Sequence, residues 1–354
     1  MPAFAESGKL QIDSFNQLIY PCTGADNKMI ATGPEYGVDV SLIHLPNGFT
    51  MALTSDPLSW IPTLGLRESA WLSVHLMAND IATTSQPPQF VQLVLNLPES
   101  ATSEQFEEYW TYIHRYCREI GVAITGGHTG KAAGQHSTLA GGGTMIGIAP
   151  EGQMLLSKYA SPGDLILVTK EAAQVATSIL ALSFPEMVKK KCGNEIWQKA
   201  AALFEETSSL QAGLCVGNLN TSSPKLVTAM HDVTEGGILG AIYEMATAAG
   251  CGAIIDAEEL PVGDAQRLVC DLFGIDPFCC IGAGAMILAV KPECEKEVLE
   301  AFAKQQIKIS VVGEFAEKEK GICIKKEGRI DMLPGPGADP YWNAFLSALK
   351  NEWK

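Results

Sequence analysis

Met230-His-Asp-Val-Thr-Glu-Gly-Gly237 is the stretch that bears most directly on the fold, together with Ile124-Thr-Gly-Gly-His-Thr129 earlier in the chain. Each stretch places polar or acidic side chains beside paired glycines, where one predicted element gives way to the next. Glycine lets a backbone approach a ligand without a Cβ between them, and the first N–H groups of a helix attract anions. The two stretches therefore predict one shared phosphate-binding site.

The chain is long enough for two domains with separate cores. It has 354 residues, of which 47% are hydrophobic, as in ordinary folded proteins. Predicted strands alternate with predicted helices, which indicates a mixed α and β class. The composition changes near Pro150-Glu-Gly152, so we expect one domain over residues 1–150 and a second over residues 151–354.

Charge and cysteine content narrow the class of protein. The formal net charge of −15 argues against nucleic acids and anionic membranes as partners, but not against nucleotides that carry a metal ion. Met1–Lys9 lacks the pattern of a signal peptide, and no apolar run reaches the roughly eighteen residues of a membrane span. The ten cysteines form no C-x-x-C pair, which favours buried thiols over disulfides or zinc. These features predict a cytoplasmic protein.

Two predictions concern the places where strands end. Phe49–Thr54 is predicted as a strand that leaves extended structure near Pro57, because proline lacks the N–H of a sheet ladder. Val122–Thr125 is predicted as a short strand, followed by a loop over residues 126–136 and a further strand over residues 137–149. Leu66–Ala82 is predicted as a mostly apolar helix.

A P-loop is the first phosphate-binding motif to test. Residues 125–132 approach G-x-x-x-x-G-K-[ST], but Thr125 replaces the first glycine and Ala132 replaces the final hydroxyl residue. That hydroxyl is the magnesium ligand of the motif, so the match fails where its chemistry lies.

Carboxylates near the ends of apolar elements are stronger candidates for a metal site. Asp39, Asp56 and Asp80 have such positions, and they support a metal site only if the fold brings them together. The alternative is that Asp56 caps a turn and Asp80 a helix end. Asp232 and Glu235 have the spacing of a capping box, with Asp232 at the N-cap of the next helix. A capped helix start still faces anions, so capping and ligand contact are compatible.

His128 has three interpretations from the residues alone. The sequence is compatible with a neutral metal ligand, with a phosphate contact and with an ordinary loop residue at this position.

Six segments, in order, resemble the superfamily of aminoimidazole ribonucleotide synthetase over almost the whole chain. That superfamily also includes thiamine-monophosphate kinase, selenophosphate synthetase, formylglycinamidine ribonucleotide synthase and the hydrogenase maturation protein that dehydrates a thiocarboxamide. Each segment is similar to a family pattern: GVDVSLI at 37–43 to G-D-D-A-A-V-I, LTSDP at 53–57 to T-T-D-P, ANDIA at 78–82 to N-D-[IL]-A, ITGGHT at 124–129 to [VI]-x-G-G-D-T, SPGD at 161–164 to P-G-D, and MHDVTEGG at 230–237 to H-D-[PV]-[TS]-x-G-G.

The resemblance implies a two-domain α+β fold. The strands of the N-terminal domain are expected to form a β-barrel across a homodimer, and the C-terminal domain is expected to be α/β. ATP is expected in the cleft, with its phosphates held through Mg²⁺, and a small molecule is the expected substrate. The implied chemistry is ATP-driven activation of an oxygen, or phosphoryl transfer to a small acceptor.

The family's site residues carry over onto matching positions of this chain. Asp56 and Asp80 are expected to hold the metal, with Asp39 assisting. The backbone of Gly126 and Gly127 and the side chain of Thr129 are expected to contact phosphate, with His128 beside them. From the second domain, Asp232 and Glu235 are expected to face the substrate or the nucleotide as catalytic residues.

Two departures bear on the metal count. Val38 stands where the family has the first aspartate of G-D-D, and His128 stands where it has the aspartate of G-G-D-T. Imidazole is a softer ligand that suits Mg²⁺ poorly.

The resemblance points to the branch of the hydrogenase maturation dehydratase and thiamine-monophosphate kinase. Hydrogenase maturation proteins of this type end in a tail with a terminal cysteine, whereas this chain ends Leu349-Lys-Asn-Glu-Trp-Lys354 and its last cysteine is Cys323. Carrier chemistry on a terminal cysteine is therefore not expected. From the superfamily resemblance we expect an ATP- and Mg²⁺-dependent enzyme that activates or phosphorylates an oxygen of a small metabolite. The alternatives are a catalytically degenerate nucleotide- or partner-binding protein, or a dehydratase of the maturation type without that cysteine.

Overall fold

Two mixed sheets organise the part of the chain that the computed structural model describes, residues 10, 12–134, 138–221 and 224–354. The first half supplies one sheet and the helices beside it: α1 (Ile12–Ser14), β1 (Ile30–Thr32), β2 (Ser41–Leu45), β3 (Phe49–Ser59), α2 (Leu66–Ala82), β4 (Phe90–Pro98), α3 (Ser103–Glu119), β5 (Ala123–Ala132) and β6 (Leu139–Pro150). The second half supplies the other: β7 (Leu165–Thr169), α4 (Gln174–Ser183), α5 (Pro185–Cys192), α6 (Asn194–Ala202), α7 (Leu210–Leu219), β8 (Val227–Asp232), α8 (Gly237–Ala249), β9 (Gly252–Asp256), α9 (Asp264–Phe273), β10 (Met286–Val290), α10 (Glu295–Lys304), β11 (Ile309–Ala316), β12 (Ile322–Lys326), β13 (Arg329–Met332) and α11 (Pro340–Lys350).

The first sheet has the strand order β1-β2-β3-β6-β4-β5, and its β4–β5 pair is parallel. Helices α2 and α3 cover one face, where Met77, Ile81 and Ile113 are fully buried. The start of α3 is fixed by a capping box, in which Thr102 and Gln105 each bond the other's backbone N–H. The predicted helix Leu66–Ala82 is confirmed at both ends.

The prediction that strand β3 ends near Pro57 is wrong. The strand continues to Ser59, and Pro57 is paired with Gly142 of β6. On its other side β3 pairs with β2 only as far as Leu53, which lies opposite Ser41. Beyond Leu53 that side of β3 is a free edge among the described residues, so the missing N–H of proline interrupts no ladder there.

The loop predicted over residues 126–136 is also largely strand. Strand β5 runs to Ala132 and pairs in parallel with β4. Gly127 has φ 144°, and a Cβ at this position would lie 1.8 Å from the carbonyl oxygen of Leu93. Glycine therefore allows the two strands to approach here. His136 and Ser137, at the end of the predicted loop and the start of the next predicted strand, lie outside the described residues.

Strands β7, β8 and β10 of the second sheet are buried on both faces. Its order is β13-β12-β9-β11-β7-β10-β8, antiparallel except for the β9–β12 pair. Because successive strand residues point to opposite faces, Ile166 and Val168 pack towards α8, while Leu167 packs towards α7 and α10. A separate hydrophobic cluster around Phe184 is formed by the helices α4, α5, α6, α9 and α11.

Helix α2 also joins the two halves of the molecule. The Asn79 side chain donates to the carbonyl of Thr207 at 3.1 Å and accepts from the N–H of Ser209 at 2.7 Å. The indole N–H of Trp71 donates to the Thr207 hydroxyl at 2.9 Å. The result is a two-part α+β architecture with mixed sheets. None of the described helices has the length and apolar character needed to cross a bilayer.

Candidate active site

A cavity of about 830 Å³ collects four aspartates from both halves of the chain. Asp39, Asp56 and Asp80 come from the first half and Asp232 from the second. A volume of this size suits a small-molecule site, for which roughly 300–1,000 Å³ is typical. No lysine, arginine or histidine is present among the described residues that line the cavity.

Asp80, on helix α2, is the most deeply placed of the cavity aspartates from the first half. It is buried, and the hydroxyl of Thr54 on β3 donates a hydrogen bond to its Oδ2 atom. Burial raises the pKa of Asp80 well above its ordinary value, and the nearby charges of Asp56, Asp232 and Asp39 raise it further. The carboxylates are therefore close enough to repel one another, as expected for a set of cation ligands.

Asp56 lines the cavity from the part of β3 that continues beyond the end of β2. It is paired with Gly143 of β6 on one side, while β2 extends only to the level of Leu53 on the other. Ser55 and Pro57 line the cavity with it. The turn-cap interpretation of Asp56 is therefore wrong, because the residue lies within a continuous strand. Asp80 likewise lies inside α2, whose C-cap is Thr83.

Asp39 is held in place by contacts with the second half of the chain. Gly37, two residues earlier, has φ 74°, and a Cβ there would lie 2.4 Å from the carbonyl oxygen of Glu244. The Ser157 hydroxyl donates to the carbonyl of Gly37 at 2.5 Å, and Lys158 pairs with Glu35 at 2.8 Å. Glycine at 37 thus permits a close contact that brings Asp39 to the second sheet.

His231 links Asp39 to helix α8. Its Nδ1 atom lies 2.8 Å from Asp39 Oδ2, and its Nε2 atom lies 3.3 Å from Glu244 Oε2. Burial alone would lower the pKa of His231, but the charges and hydrogen bonds of Asp39 and Glu244 outweigh it and raise the pKa to about 10. The ring is therefore an imidazolium that donates to both carboxylates.

The contacts of His231 bear on which groups can hold a metal. Potential ligand atoms of Asp39, His231 and Asp232 lie within 4.8 Å of one another. Both ring nitrogens of His231 face carboxylate oxygens, Nδ1 that of Asp39 and Nε2 that of Glu244, so neither nitrogen points to a cation in this arrangement. The available ligands are the aspartate oxygens, which are the hard donors that Mg²⁺ prefers.

Asp232 and Glu235 do not form the capping box that their spacing allows. Asp232 is the last residue of β8 and is buried, and Glu235 lies in the following turn. Helix α8 begins later, with Gly236 at its N-cap in the left-handed region and no side-chain cap. The cap interpretation is therefore wrong, and both carboxylates line the cavity.

The glycine stretch that was expected to contact phosphate lies elsewhere in this chain. Gly126, Gly127, His128 and Thr129 are exposed residues of β5, at the edge of the first sheet. None of them is among the described residues that line the cavity. Their role as phosphate contacts stays a prediction.

His231 is a site residue that the sequence interpretation did not single out. The available signal was its position beside Asp232 at the end of a predicted strand. Its partners are 192 residues and 13 residues away in the sequence, so its charge state depends on tertiary packing.

Comparison with known proteins identifies the family. The model of the AIR synthase related protein N-terminal domain matches residues 37–149, and the model of its C-terminal domain matches residues 161–326. The carbamoyl dehydratase HypE of Rhizobium leguminosarum bv. viciae is 27% identical over 271 residues, which cover 75% of this chain and 72% of that protein.

Two solved structures share the fold. Hydrogenase maturation protein HypE in complex with ATP has a TM-score of 0.67 and 17% identity, and the match covers 93% of each chain. AaThiL, a thiamine-monophosphate kinase from Aquifex aeolicus, in complex with AMPPCP and TMP, has a TM-score of 0.65 and 17% identity, and the match covers 87% of this chain and 91% of that one. The matched domain order, the aspartates at the family positions and the shared architecture lead to one conclusion: this chain belongs to the AIR synthase-related protein family.

Proposed function

We propose that this protein is an ATP- and Mg²⁺-dependent enzyme that activates or phosphorylates an oxygen of a small acceptor molecule. The observation that carries the proposal is the convergence of Asp39, Asp56, Asp80 and Asp232 on one cavity. Its relatives support a nucleotide, since a HypE has been solved with ATP and a thiamine-monophosphate kinase with AMPPCP.

The donor set fits Mg²⁺. The cavity gathers buried and half-buried carboxylates without a lysine or arginine among its described lining residues. The raised pKa of Asp80 reflects burial first and then that concentration of charge. In our proposal Asp56 and Asp80 hold the metal, with Asp39 assisting. When bound, Mg²⁺ supplies neutralisation and orientation of phosphate oxygens.

The protein's own residues have separate proposed roles. The His231 imidazolium fixes the orientation of Asp39. Thr54 fixes Asp80 through its hydroxyl. Asp232 and Glu235 face the acceptor, where a carboxylate can orient the attacking oxygen and accept its proton.

The reaction class is phosphoryl transfer to an oxygen, either as the final product or as activation for loss of that oxygen. The first outcome is that of a kinase, as in the thiamine-monophosphate kinase neighbour. The second is favoured by the sequence relative, a carbamoyl dehydratase. Both reactions require the site to hold the terminal phosphate of ATP beside an acceptor oxygen.

We further propose a homodimer that pairs the first sheets of two copies. Strand β5 is an exposed edge, and exposed apolar side chains such as Phe90 and Val94 lie on the neighbouring β4. A second copy at this edge would cover Gly126, Gly127, His128 and Thr129, so any phosphate contact of these residues would lie at the interface between the two copies. Light scattering coupled to size-exclusion chromatography tests this, and a monomer at micromolar concentration would contradict it.

A second candidate function is nucleotide binding without turnover. Val38 and His128 stand at family aspartate positions, so the chain has fewer acidic groups than the family pattern. This candidate predicts no ADP release with any acceptor, and turnover with a single acceptor excludes it.

The test of the proposed function is calorimetric titration with a non-hydrolysable ATP analogue, with and without Mg²⁺. Wild type is expected to bind in a Mg²⁺-dependent manner, and Asp80→Asn is expected to weaken binding by roughly tenfold or more. Asp331→Asn, at an exposed position on β13, is the matched control and should bind like wild type. Equal affinity in Asp80→Asn and wild type would remove the metal role of Asp80.

A further inference from the structure

Strand β3 continues beyond the end of β2, and this extension carries Asp56. On the side that β2 leaves, no strand pairs with the extension among the described residues. On its other side, the register with β6 shifts between Pro57 and Ser59. The extension therefore has one side without a ladder and an irregular ladder on the other. Contacts outside the sheet contribute to where Asp56 lies.

Two helices hold the end of this extension. The Ser73 hydroxyl on α2 accepts from the N–H of Ser59 at 2.8 Å. The Tyr109 hydroxyl on α3 donates to the Ser59 carbonyl oxygen at 2.9 Å and lies 2.8 Å from the Ser73 hydroxyl oxygen. All three residues are buried, so a lost bond leaves a polar group that water does not reach. We call Ser59, Ser73 and Tyr109 the β3 clamp.

Contacts next to the β3 clamp fix the chain that follows. Ser69, one turn before Ser73 on α2, accepts from the N–H of Ile61 at 2.9 Å. The ring of Tyr109 packs against Trp60 with centroids 4.9 Å apart. The clamp is therefore part of a larger buried contact between the end of β3 and the two helices.

Helix α2 carries both a residue of the β3 clamp and a proposed metal ligand. Ser73 and Asp80 are seven residues apart, about two helical turns, and so lie on the same face of α2. The Thr54 hydroxyl of β3 donates to Asp80. Asp56 thus lies between two contacts of β3 with one helix, at Thr54 and at Ser59. Because that helix also carries Asp80, the two contacts bear directly on the separation of the two carboxylates.

The backbone of Asp56 has little freedom of its own. Pro57 follows it, and the residue before a proline is restricted to extended conformations. A displacement at the end of β3 is therefore not absorbed by a change in the backbone angles of Asp56. The carboxylate moves with the strand.

We propose that Ser73 and Tyr109 are positioning residues for the metal site, which act through the end of β3 on Asp56. This role rests on the proposed function and adds a determinant of cation selectivity to the same site. Mg²⁺ requires nearly octahedral oxygen ligands at about 2.0–2.1 Å, whereas Ca²⁺ accepts about 2.3–2.6 Å and irregular geometry. Loss of the β3 clamp displaces Asp56 relative to Asp80 and weakens Mg²⁺ binding more than Ca²⁺ binding.

Calorimetric titration of the full chain with Mg²⁺ and with Ca²⁺, alone and with a non-hydrolysable ATP analogue, tests this role. Tyr109→Phe removes the hydroxyl and keeps the ring against Trp60, and Ser73→Ala removes the acceptor of the Ser59 N–H. Circular dichroism verifies that each variant is folded. Each is expected to bind Mg²⁺ about tenfold more weakly and Ca²⁺ no more than about threefold more weakly than wild type.

Trp197→Phe is the matched control. It also removes an aromatic side chain's hydrogen bond to a backbone carbonyl, that of Ala181 at 3.0 Å. Trp197 lies on α6 and is not among the described residues that line the cavity. Its variant should bind both cations like wild type. Unchanged selectivity in a folded Tyr109→Phe or Ser73→Ala variant overturns the proposal, and so does an equal loss of the two cations, which is the result of a merely structural role.

Failure of the proposed function is a separate outcome. If wild type binds Mg²⁺ but not the ATP analogue, the proposed function fails, and the ratio of Mg²⁺ to Ca²⁺ affinity in the variants still decides the positioning role. If wild type binds neither cation, with or without the analogue, the positioning role is overturned together with the metal role of Asp56 and Asp80.

Discussion

The imidazolium of His231 is held between Asp39 and Glu244, with Nδ1 2.8 Å from Asp39 Oδ2. Asp39 belongs to the segment before β2, and His231 belongs to β8 of the second sheet. This ion pair is almost completely buried, since the His231 and Asp39 side chains are 1% and 7% exposed. One contact therefore joins the two halves of the chain and sets the position of a candidate site carboxylate.

Replacement of His231 by Gln should destabilise the protein strongly. The variant leaves the carboxylates of Asp39 and Glu244 buried without the cation that compensates them, and removing one partner of a buried pair costs about 3–5 kcal/mol. Urea unfolding followed by circular dichroism measures the difference. Arg115→Gln removes an exposed pair on α3, whose side chains are 61% and 47% exposed, and should leave the free energy of unfolding almost unchanged. Similar losses in the two variants would show that the His231 pair contributes little.

Replacement of Asp80 by Asn should raise stability while removing ligand stabilisation. The carboxamide oxygen of the variant can still accept from the Thr54 hydroxyl, but the substitution removes a buried charge that Asp56, Asp232 and Asp39 repel. Without Mg²⁺ we expect the free energy of unfolding to rise by about 1 kcal/mol or more. Wild type should gain stability on addition of Mg²⁺ and the ATP analogue, by mass action, and Asp80→Asn should gain less at the same ligand concentration. Thermal unfolding under both conditions checks this, and a less stable Asp80→Asn without Mg²⁺ would contradict it.

The presence of helices and strands was predictable from local sequence patterns. The residues at which the strands end were not, because those depend on the neighbouring strands in the sheet. Leu66–Ala82 has the apolar content of a helix, and its bounds agree with the structure. Pro57 indicated a strand end, but no local feature reveals that β2 stops opposite Leu53 and leaves an edge where proline fits. Gly126 and Gly127 likewise indicated a loop. The structure has a strand there, because Gly127 allows β5 to lie close to β4, and no local feature of the sequence reveals that contact.

The sequence predicted which aspartates belong to the candidate site better than it predicted their contacts. The resemblance named Asp39, Asp56, Asp80 and Asp232, and all four line one cavity. The charge of His231 and the contribution of α11 residues Trp342, Leu346 and Leu349 to the cavity were not predictable, since both arise from contacts between residues that are distant in sequence.

Replacement of Gly127 by Ala should disturb the β4–β5 pair. A Cβ at this position would lie 1.8 Å from the Leu93 carbonyl oxygen, and the residue has φ 144°, so we expect a loss of about 1–3 kcal/mol or more. Gly130→Ala on the same strand is the control, because the nearest atom to its Cβ is a side-chain nitrogen of His128 at 3.5 Å. Denaturant unfolding of both variants measures the difference. Equal stability of the two would mean that β5 can shift away from β4 without loss, and that Gly127 is not required for strand packing.

His75 should make the protein sensitive to mild acid. The ring lies 3.7 Å from Trp71 in a stacked arrangement, and its Nδ1 contacts the Ser208 hydroxyl at 2.9 Å. Burial, helped by the charge of Lys170, lowers the pKa of His75 from 6.5 to about 4. The folded state then binds fewer protons than the unfolded state between these values. The stability contributed by neutral His75 is complete above pH 6.5 and is lost as the pH falls towards 4, by roughly 2–3 kcal/mol.

His75→Phe keeps a ring against Trp71 but cannot take up a proton. At pH 7 we expect it to be less stable than wild type by about 1 kcal/mol, because Ser208 loses a hydrogen-bond partner. As the pH falls to 4 the difference should reverse in favour of the variant. His114→Phe, at an exposed position of α3, should leave the pH dependence unchanged. Unfolding free energies measured from pH 7 to pH 4 decide the matter, and parallel curves for wild type and His75→Phe would show that His75 is not buried in its neutral form.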